Sequence, residues 1–253
     1  MIVRKSAAEI EKMARAGQVV AETLAVTEEL IEPGVTTKEL DEAAEDYIRS
    51  RGGVPTFKGY RGFPASICAS PNSMVVHGIP GLYRLGEGDL ISIDVGVTLN
   101  GFVADSAWTF PVGEIEDDRL RLLEAGQAAL AAGIEQARVG KHVGDISAAV
   151  QRATEAAGFS VVRSLVGHGV GRSMHEEPQI PNFGEPGRGP RLAPGMTLAI
   201  EPMITAGGAS VFMAEDHWSI STDDGSLAAH FEHTVAVTEE AARILTRLES
   251  LVP

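Results

Sequence analysis

Cysteine is almost absent from this chain of 253 residues, which contains Cys68 alone. A single cysteine excludes an internal disulfide, and the lack of thiolates argues against a structural zinc site. Long apolar runs are also missing, and without about 18 consecutive apolar residues we expect no membrane span. The N-terminus enters a charged helical pattern directly and lacks the apolar centre of a signal peptide. These absences together lead us to expect a cytoplasmic protein.

Positive charge is scarce as well. The chain has 21 lysines and arginines against 35 aspartates and glutamates, which gives a formal net charge of −14. That balance argues against a protein that binds nucleic acid through its overall field. The hydrophobic fraction of 44% and the charged fraction of 22% are typical of a globular protein.

Helix and strand patterns follow each other in a regular order. Capping boxes at Ser6–Glu9 and Thr36–Glu39 predict two helices, and Asn100-Gly101 between two strand-like runs predicts a hairpin. Two further helices are predicted at about 119–138 and 145–157. The remaining patterns predict strands at 65–70, 89–97, 102–112, 160–163 and 196–203, and a second hairpin formed by 217–221 and 230–237.

An internal repeat indicates how these elements are arranged. Leu85–Asp94 matches Leu192–Glu201 in the pattern Leu-x-x-Gly-x-x-Leu/Ile-x-Ile-acid, and a predicted helix pair precedes each copy. We therefore expect a two-layer α+β fold in a single catalytic domain, 1–253, with similar halves of about 1–112 and 113–253. Asp94 and Glu201 should occupy equivalent places in the two halves.

Three acids interrupt strands that are otherwise apolar, namely Asp94, Glu201 and Glu232. Burying an ionised carboxylate without a partner is costly. One such acid could be a protective charge on an edge strand, but three are harder to explain that way. Basic residues are scarce near them in the sequence, so bound metal cations are the better explanation.

Two more residues complete a candidate metal site. A two-residue turn at Asn100-Gly101 places Asp105 one diagonal step from Asp94 on the same face of the hairpin. His168 lies between Gly167 and Gly169, where a histidine suits metal binding or proton transfer, although a Gly-rich turn with solvated histidines would look similar. Four negative charges match two divalent cations, and the oxygen-rich donors suit Mn, Fe, Co or Zn. The candidate ligands are Asp94, Asp105, His168, Glu201 and Glu232.

Over nearly its whole length the chain resembles the type I methionine aminopeptidases. The segments that carry the resemblance are Ser66–Pro80, Ile93-Asp-Val, Ala104-Asp-Ser, Gly167–Pro178, Ile200-Glu-Pro-Met and Phe231-Glu-His-Thr. The resemblance implies a pita-bread fold, with two pseudo-symmetric halves, a curved and mainly antiparallel sheet and outer helices. It also implies hydrolysis of the initiator methionine from nascent proteins and peptides, with a preference for a small second residue. In such enzymes a water activated by two metal ions attacks the scissile amide.

The resemblance also implies roles for individual residues. Asp94 and Asp105 would hold one metal, and Asp105, His168, Glu201 and Glu232 the other. His77 and His175 would contact the scissile amide and stabilise the oxyanion, and Glu201 would carry the proton to the leaving amine. The methionine pocket would be formed by Tyr60, Phe63, Cys68, Met174 and Trp218, although Cys68 and Phe63 also suit ordinary core packing. Met174 stands where an aromatic residue is expected.

The remaining histidines receive structural interpretations. His233 has the opposite strand parity to Glu232 and should face away from the site, while His142, His217 and His230 are interpreted as ordinary structural histidines. We expect a monomer that acts on peptide or nascent-chain N-termini near the ribosomal exit tunnel, without membrane or nucleic-acid specificity.

Two alternatives stay open. A Xaa-Pro aminopeptidase of the same fold would carry a large N-terminal domain, whereas only 76 residues precede His77. A non-catalytic binding protein on the same scaffold would have lost metal ligands, whereas all five positions are filled.

Overall fold

The computed structural model describes residues 1–247. Within them the helices are α1 Ala7–Leu30, α2 Thr37–Ser50, α3 Asp117–Gln136 and α4 Val143–Ala156, with a short 3₁₀ helix at Tyr60–Gly62. The two predicted capping boxes are confirmed, because Ser6 and Thr36 accept hydrogen bonds from the backbone N–H of Glu9 and Glu39. None of the helices within residues 1–247 combines the length and apolar character that a bilayer crossing requires.

The strands of the first half are β1 Val54–Pro55, β2 Ile67–Pro71, β3 Met74–Val76, β4 Leu90–Leu99 and β5 Phe102–Pro111. Those of the second half are β6 Ser160–Val161, β7 Val166–Gly169, β8 Glu176–Pro181, β9 Thr197–Ile200, β10 Met203–Thr205, β11 Val211–Met213, β12 Ile220–Thr222, β13 Ala228–His230, β14 His233–Val237 and β15 Ala242–Ile244. All their pairings are antiparallel.

Two larger sheets carry the fold. In the first, β4 pairs with β5 along one edge and with β1 and β2 along the other. The second runs in the order β15-β14-β9-β7-β8. Gly96 pairs with Asp105 and Asp94 with Ala107, which confirms the predicted hairpin register. Two acids separated by this diagonal step therefore share one face of the sheet.

Hydrogen bonds between β5 and the β13–β14 segment join the two halves. The backbone N–H of Asp105 donates to Oγ1 of Thr234 at 3.1 Å, and the N–H of Glu232 donates to the carbonyl of Ala107 at 2.8 Å. Because these bonds connect residues more than 120 positions apart, they bring the acids of both halves into one place.

The helices cover the sheets through two apolar cores. Side chains of α1 and α2, such as Leu40, pack with Ile93 of β4 in the first core. In the second core, Leu122 of α3 and Ile146 of α4 pack with Phe231. Each helix pair thus packs into one of the two cores.

Two strand predictions are wrong. The run 196–203 is interrupted after Ile200, since Pro202 has no N–H to continue a ladder, and β10 joins a different sheet from β9. The predicted hairpin of 217–221 with 230–237 does not form. Its turn exists, with Asp224 accepting from the N–H of Ser226, but β12 pairs with β11 and β3 while β14 pairs with β9 and β15.

Candidate active site

A cavity of about 280 Å³ opens between the two halves. It is lined by all twelve residues that the sequence singled out: His77, Asp94, Asp105, His168, His175, Glu201, Glu232, Tyr60, Phe63, Cys68, Met174 and Trp218. The first half contributes Asp94 and Asp105, and the second contributes His168, Glu201 and Glu232. The candidate site therefore needs both halves of the chain.

Asp105 is held firmly at the bottom of the cavity. It is fully buried, and its Oδ1 accepts a hydrogen bond from Oγ1 of Thr234 at 2.8 Å. Its Oδ2 lies 3.5 Å from Nε2 of His168 and has no hydrogen-bond partner. One oxygen is thus anchored while the other is free to bind a cation.

His168 reaches the same point from β7. Its Nδ1 lies 2.9 Å from the carbonyl of Gly169, so a proton on Nδ1 can be donated there. That tautomer leaves the lone pair of Nε2 directed at the site, which is the usual arrangement of a metal-binding histidine. Nε2 also lies 3.5 Å from Oε1 of Glu201, which directly follows β9.

The donor set fits bound cations. Asp94 Oδ1, Asp105 Oδ2 and Glu232 Oε1 are buried and have no hydrogen-bond partner. Among residues 1–247 no lysine or arginine forms an ion pair with these acids or with Glu201. Oxygen atoms of Asp105 and Glu232 and a nitrogen of His168 all lie within 4.8 Å of one another. Buried acids without partners are costly, and a divalent cation would remove that cost.

Burial also changes the acids' protonation. It raises the pKa of Asp94 and of Glu201 to about 8, and it also raises the pKa of Asp105 and of Glu232. Neighbouring carboxylates add to the effect on Asp94, Glu201 and Glu232. Without cations Asp94 and Glu201 therefore favour the protonated form near neutral pH, and metal binding has to displace those protons.

The imidazole rings of His77 and His175 form another part of the cavity wall. Burial lowers the pKa of His77 and of His175 to about 4, and the neighbouring His168 contributes for His175. Both rings are therefore neutral at pH 7. Nδ1 of His175 is 2.8 Å from the hydroxyl of Tyr60, and its ring centre is 4.3 Å from that of His168. His77 adopts a left-handed φ of 59°, so its backbone is held in a sparsely populated conformation.

Another part of the cavity wall is apolar. Phe63 and Trp218 meet edge to face at 5.1 Å, and Cys68 and Met174 are buried beside them. Burial raises the pKa of the Cys68 thiol, so this side chain is neutral. Phe57, which the sequence patterns did not single out, also lines the cavity. Aromatic edges and sulfur atoms suit a flexible thioether side chain.

His230, which the sequence interpretation treated as an ordinary structural histidine, lies inside the cavity. It is 2% exposed and places Nε2 3.6 Å from Oε2 of Glu201. The strand pattern predicted for 230–237 could have revealed this, because residues two positions apart in a strand, such as 230 and 232, point to the same face. Arg61 also lines the cavity and was missed. The ring of His233 instead contacts Thr246 and Ser106, in line with its predicted orientation away from the site.

Comparisons with known proteins agree with this geometry. Residues 11–239 match the family described as metallopeptidase family M24. The chain is 51% identical over 248 residues to methionine aminopeptidase 1 of Bacillus subtilis (strain 168), covering 98% of this chain and 100% of that protein.

The fold of this chain is similar to those of solved structures of other proteins. The methionine aminopeptidase of Thermotoga maritima superposes with a TM-score of 0.96 at 43% identity, covering 98% of this chain and 100% of the other. A prolidase of Pyrococcus furiosus superposes with a TM-score of 0.78 at 22% identity, covering 98% of this chain and 66% of the prolidase. These likenesses confirm the predicted pita-bread fold.

Proposed function

Because this chain belongs to metallopeptidase family M24, and within it to the methionine aminopeptidases, we propose that its cavity hydrolyses the N-terminal methionine from peptides and nascent chains. The observation that carries this proposal is the meeting of unpartnered buried acids, His168 and an apolar wall in one cavity. The acids supply a place for cations, and the apolar wall supplies a place for the methionine side chain.

Two divalent cations would occupy the acid side of the cavity, which is formed by Asp94, Asp105, Glu201 and Glu232. Asp94 and Asp105 would hold one, His168 and Glu201 would hold the other, and Asp105 and Glu232 would contact both. Four carboxylates balance the charge of two such ions, and the donors suit Mn, Fe, Co or Zn. When bound, the cations would act as Lewis acids that polarise the scissile carbonyl and lower the pKa of a water molecule.

The protein's own groups would direct the reaction around that centre. Neutral His77 and His175 would bind the scissile amide and stabilise negative charge on its oxygen, as preorganised donors do. Glu201 would take a proton from the attacking water and pass it to the leaving amine. The apolar wall would exclude bulk water and fix the methionine side chain.

The methionine pocket is assigned to Tyr60, Phe63, Cys68, Met174 and Trp218. A second residue as small as Gly, Ala or Ser should be accepted, and Lys, Phe or Leu should be rejected. Release of methionine from Met-Ala and Met-Lys peptides under the same conditions tests this selectivity. Comparable rates on the two peptides would contradict it.

A paired assay separates this function from its alternatives. Bound metal is measured first, and then cleavage of a Met-Gly-Met peptide is compared with cleavage of an Ala-Pro peptide. Metal binding with cleavage of the first peptide alone supports the proposal. Cleavage of the Ala-Pro peptide would favour a Xaa-Pro aminopeptidase, although the prolidase likeness at 22% identity concerns the fold alone. Absence of metal and of cleavage would favour a binding protein.

We further propose that residues 1–253 act as one catalytic unit, because the site draws donors from both halves. The unit would act as a monomer in the cytoplasm, where proteins rarely carry disulfides and a chain with a single cysteine is expected. It would meet nascent chains near the ribosomal exit tunnel. Sedimentation of the purified protein tests the monomer, and co-sedimentation with ribosomes tests the encounter.

A further inference from the structure

His230 is a buried imidazole that the five-residue ligand set does not use. Its Nε2 is buried without a hydrogen-bond partner, although it lies inside the cavity beside Glu201. A buried donor or acceptor that stays unpaired costs stability. Such a group needs an explanation within the site.

The backbone of His230 is fixed on both sides. Its N–H donates to Oγ1 of Thr109 at 2.8 Å, and its carbonyl accepts from the same hydroxyl at 2.9 Å. In the ladder of β13 with β10, His230 stands opposite Met203, two residues after Glu201. The ring is therefore presented to Glu201 by two independent contacts of its backbone.

Glu201 lies between two imidazoles. Its Oε1 is 3.5 Å from Nε2 of His168, and its Oε2 is 3.6 Å from Nε2 of His230. The first oxygen faces the predicted ligand His168, so it is the one directed at the metal centre. The second oxygen is the one that approaches His230.

We propose that His230 is a positioning residue, whose Nε2–H donates to Oε2 of Glu201 and thereby keeps Oε1 turned towards His168 and the metal centre. This inference rests on the proposed function, because it assigns His230 a task within that same site. A closing movement of a few tenths of an ångström would bring the two atoms from 3.6 Å into hydrogen-bond range.

Partners of this kind affect metal binding through the ligand that they hold. Groups that orient a metal-binding side chain are worth about 10–100-fold in metal affinity or activity. Losing the donor would let the Glu201 carboxylate rotate, so both metal affinity and the catalytic rate should fall. Substrate affinity should change little, since His230 holds Glu201 rather than the methionine side chain.

Two substitutions at one position test the donor. His230→Gln keeps an N–H group that can reach Oε2, whereas His230→Leu has similar bulk and no donor. Affinity for Mn(II) is measured by titration calorimetry on the full-length protein, together with kcat and KM on a Met-Ala peptide. We expect His230→Leu to lose about 10–100-fold in metal affinity and kcat with KM little changed. We expect His230→Gln to recover to within a few-fold of the wild type.

His233→Leu is the matched control. It removes a buried imidazole three residues away, whose ring contacts Thr246 and Ser106 outside the cavity. Metal affinity should stay at the wild-type value in this variant even if its melting temperature falls. A loss as large as that of His230→Leu would show a general packing effect and overturn the proposal.

Further outcomes are decisive. Wild-type metal affinity and kcat in His230→Leu would overturn the inference, as would a His230→Gln variant as impaired as His230→Leu. If His230→Leu does not fold, the Co(II) absorption spectra of the wild type and His230→Gln are compared. Matching spectra support a donor that is not a ligand, and a changed spectrum would make His230 a metal ligand instead. A wild type that binds no metal would count against the proposed function itself.

Discussion

The pKa values on the acid side of the cavity and on its imidazole side, which is formed by His77 and His175, shift in opposite directions on burial. Burial raises the pKa of Asp94 and Glu201 to about 8, and it lowers the pKa of His77 and His175 to about 4. In both cases the neutral form is favoured, since burial penalises charge of either sign. The consequence for function differs, because a neutral imidazole can bind a substrate directly whereas the acids have to lose protons to hold cations.

The two sides also differ in their partners. Oxygen atoms of Asp94, Asp105 and Glu232 are buried without a hydrogen-bond partner, while His175 has the hydroxyl of Tyr60 at 2.8 Å. We therefore expect the acid side, and not His175, to depend on bound metal. The following experiments test that separation, beginning with the largest expected effect.

His168→Ala and His175→Ala should divide metal binding from catalysis. His168→Ala removes a nitrogen ligand from the acid side, so bound metal and activity should be lost together. His175→Ala should leave metal content nearly unchanged and lower kcat about 10²–10³-fold, as expected for loss of one preorganised donor. Metal analysis and peptide kinetics on both variants measure this. Equal loss of metal in the two variants would show that the sides are not separable.

Removing the metals should change how stability depends on pH. In the metal-free fold the pKa of Asp94 is raised from 3.8 to about 8, so its contribution to stability is full below about pH 4 and is lost as pH rises through about 8. With cations bound, the carboxylate pKa values should be depressed, because nearby positive charge favours the ionised form. Their contribution is then present above the unfolded values and is lost as pH falls. The gap in melting temperature between loaded and chelated protein should therefore be wide near pH 8 and narrow near pH 5.

Thermal unfolding of both forms at several pH values, with bound metal measured in parallel, provides the test. Imidazole-side variants such as His175→Ala serve as controls, since they should keep the same pH trend. A constant gap from pH 5 to pH 8, with metal still bound at the acid end, would be incompatible with a cluster of acids that hold cations.

The support of the imidazole side can be weakened without touching the acids. Nζ of Lys5 forms a buried ion pair with Oε2 of Glu176 at 2.6 Å, and Glu176 directly follows His175. Its other oxygen accepts the backbone N–H groups of Arg172 and Ser173, so the carboxylate organises the turn that leads to His175. Lys5→Met should lower the free energy of unfolding by about 3 kcal/mol, because it leaves a buried charge without its partner.

Lys5→Met should also lower kcat while leaving metal content unchanged. Urea unfolding of the loaded protein gives the stability, and metal analysis gives the occupancy. Lys38→Met is the matched control, because its pair with Glu42 is exposed and should contribute less than about 1 kcal/mol. Loss of metal from Lys5→Met would mean that the ion pair supports the acid side as well.

Tyr60→Phe makes the smallest change. It removes the hydroxyl that contacts Nδ1 of His175 and keeps the aromatic ring in the cavity wall. A neutral hydrogen bond contributes about 0.5–1.5 kcal/mol, so kcat should fall roughly 2–10-fold with metal content unchanged. Steady-state kinetics with metal analysis measures both. An unchanged kcat would show that His175 is held by other contacts.

Interactions between near neighbours were readable in the sequence. Ser6 with Glu9 and Thr36 with Glu39 start their helices through bonds that span three residues. The Asn100-Gly101 turn sets the register that places Asp94 and Asp105 on one face. In both cases a few neighbouring residues specify the local structure, since backbone preference and strand alternation act over short distances.

Contacts between distant residues were decided by the tertiary structure. From the sequence alone, acids in apolar strands together with His168 predicted a candidate metal site, and the family resemblance implied the pita-bread fold. The sequence did not determine that β12 and β14 join different sheets, that Lys5 supports the turn before His175, or that His230 faces Glu201. Each of these depends on which of several compatible strands or side chains packs closest once the cores have formed. That choice is a property of the whole packed chain rather than of any local pattern.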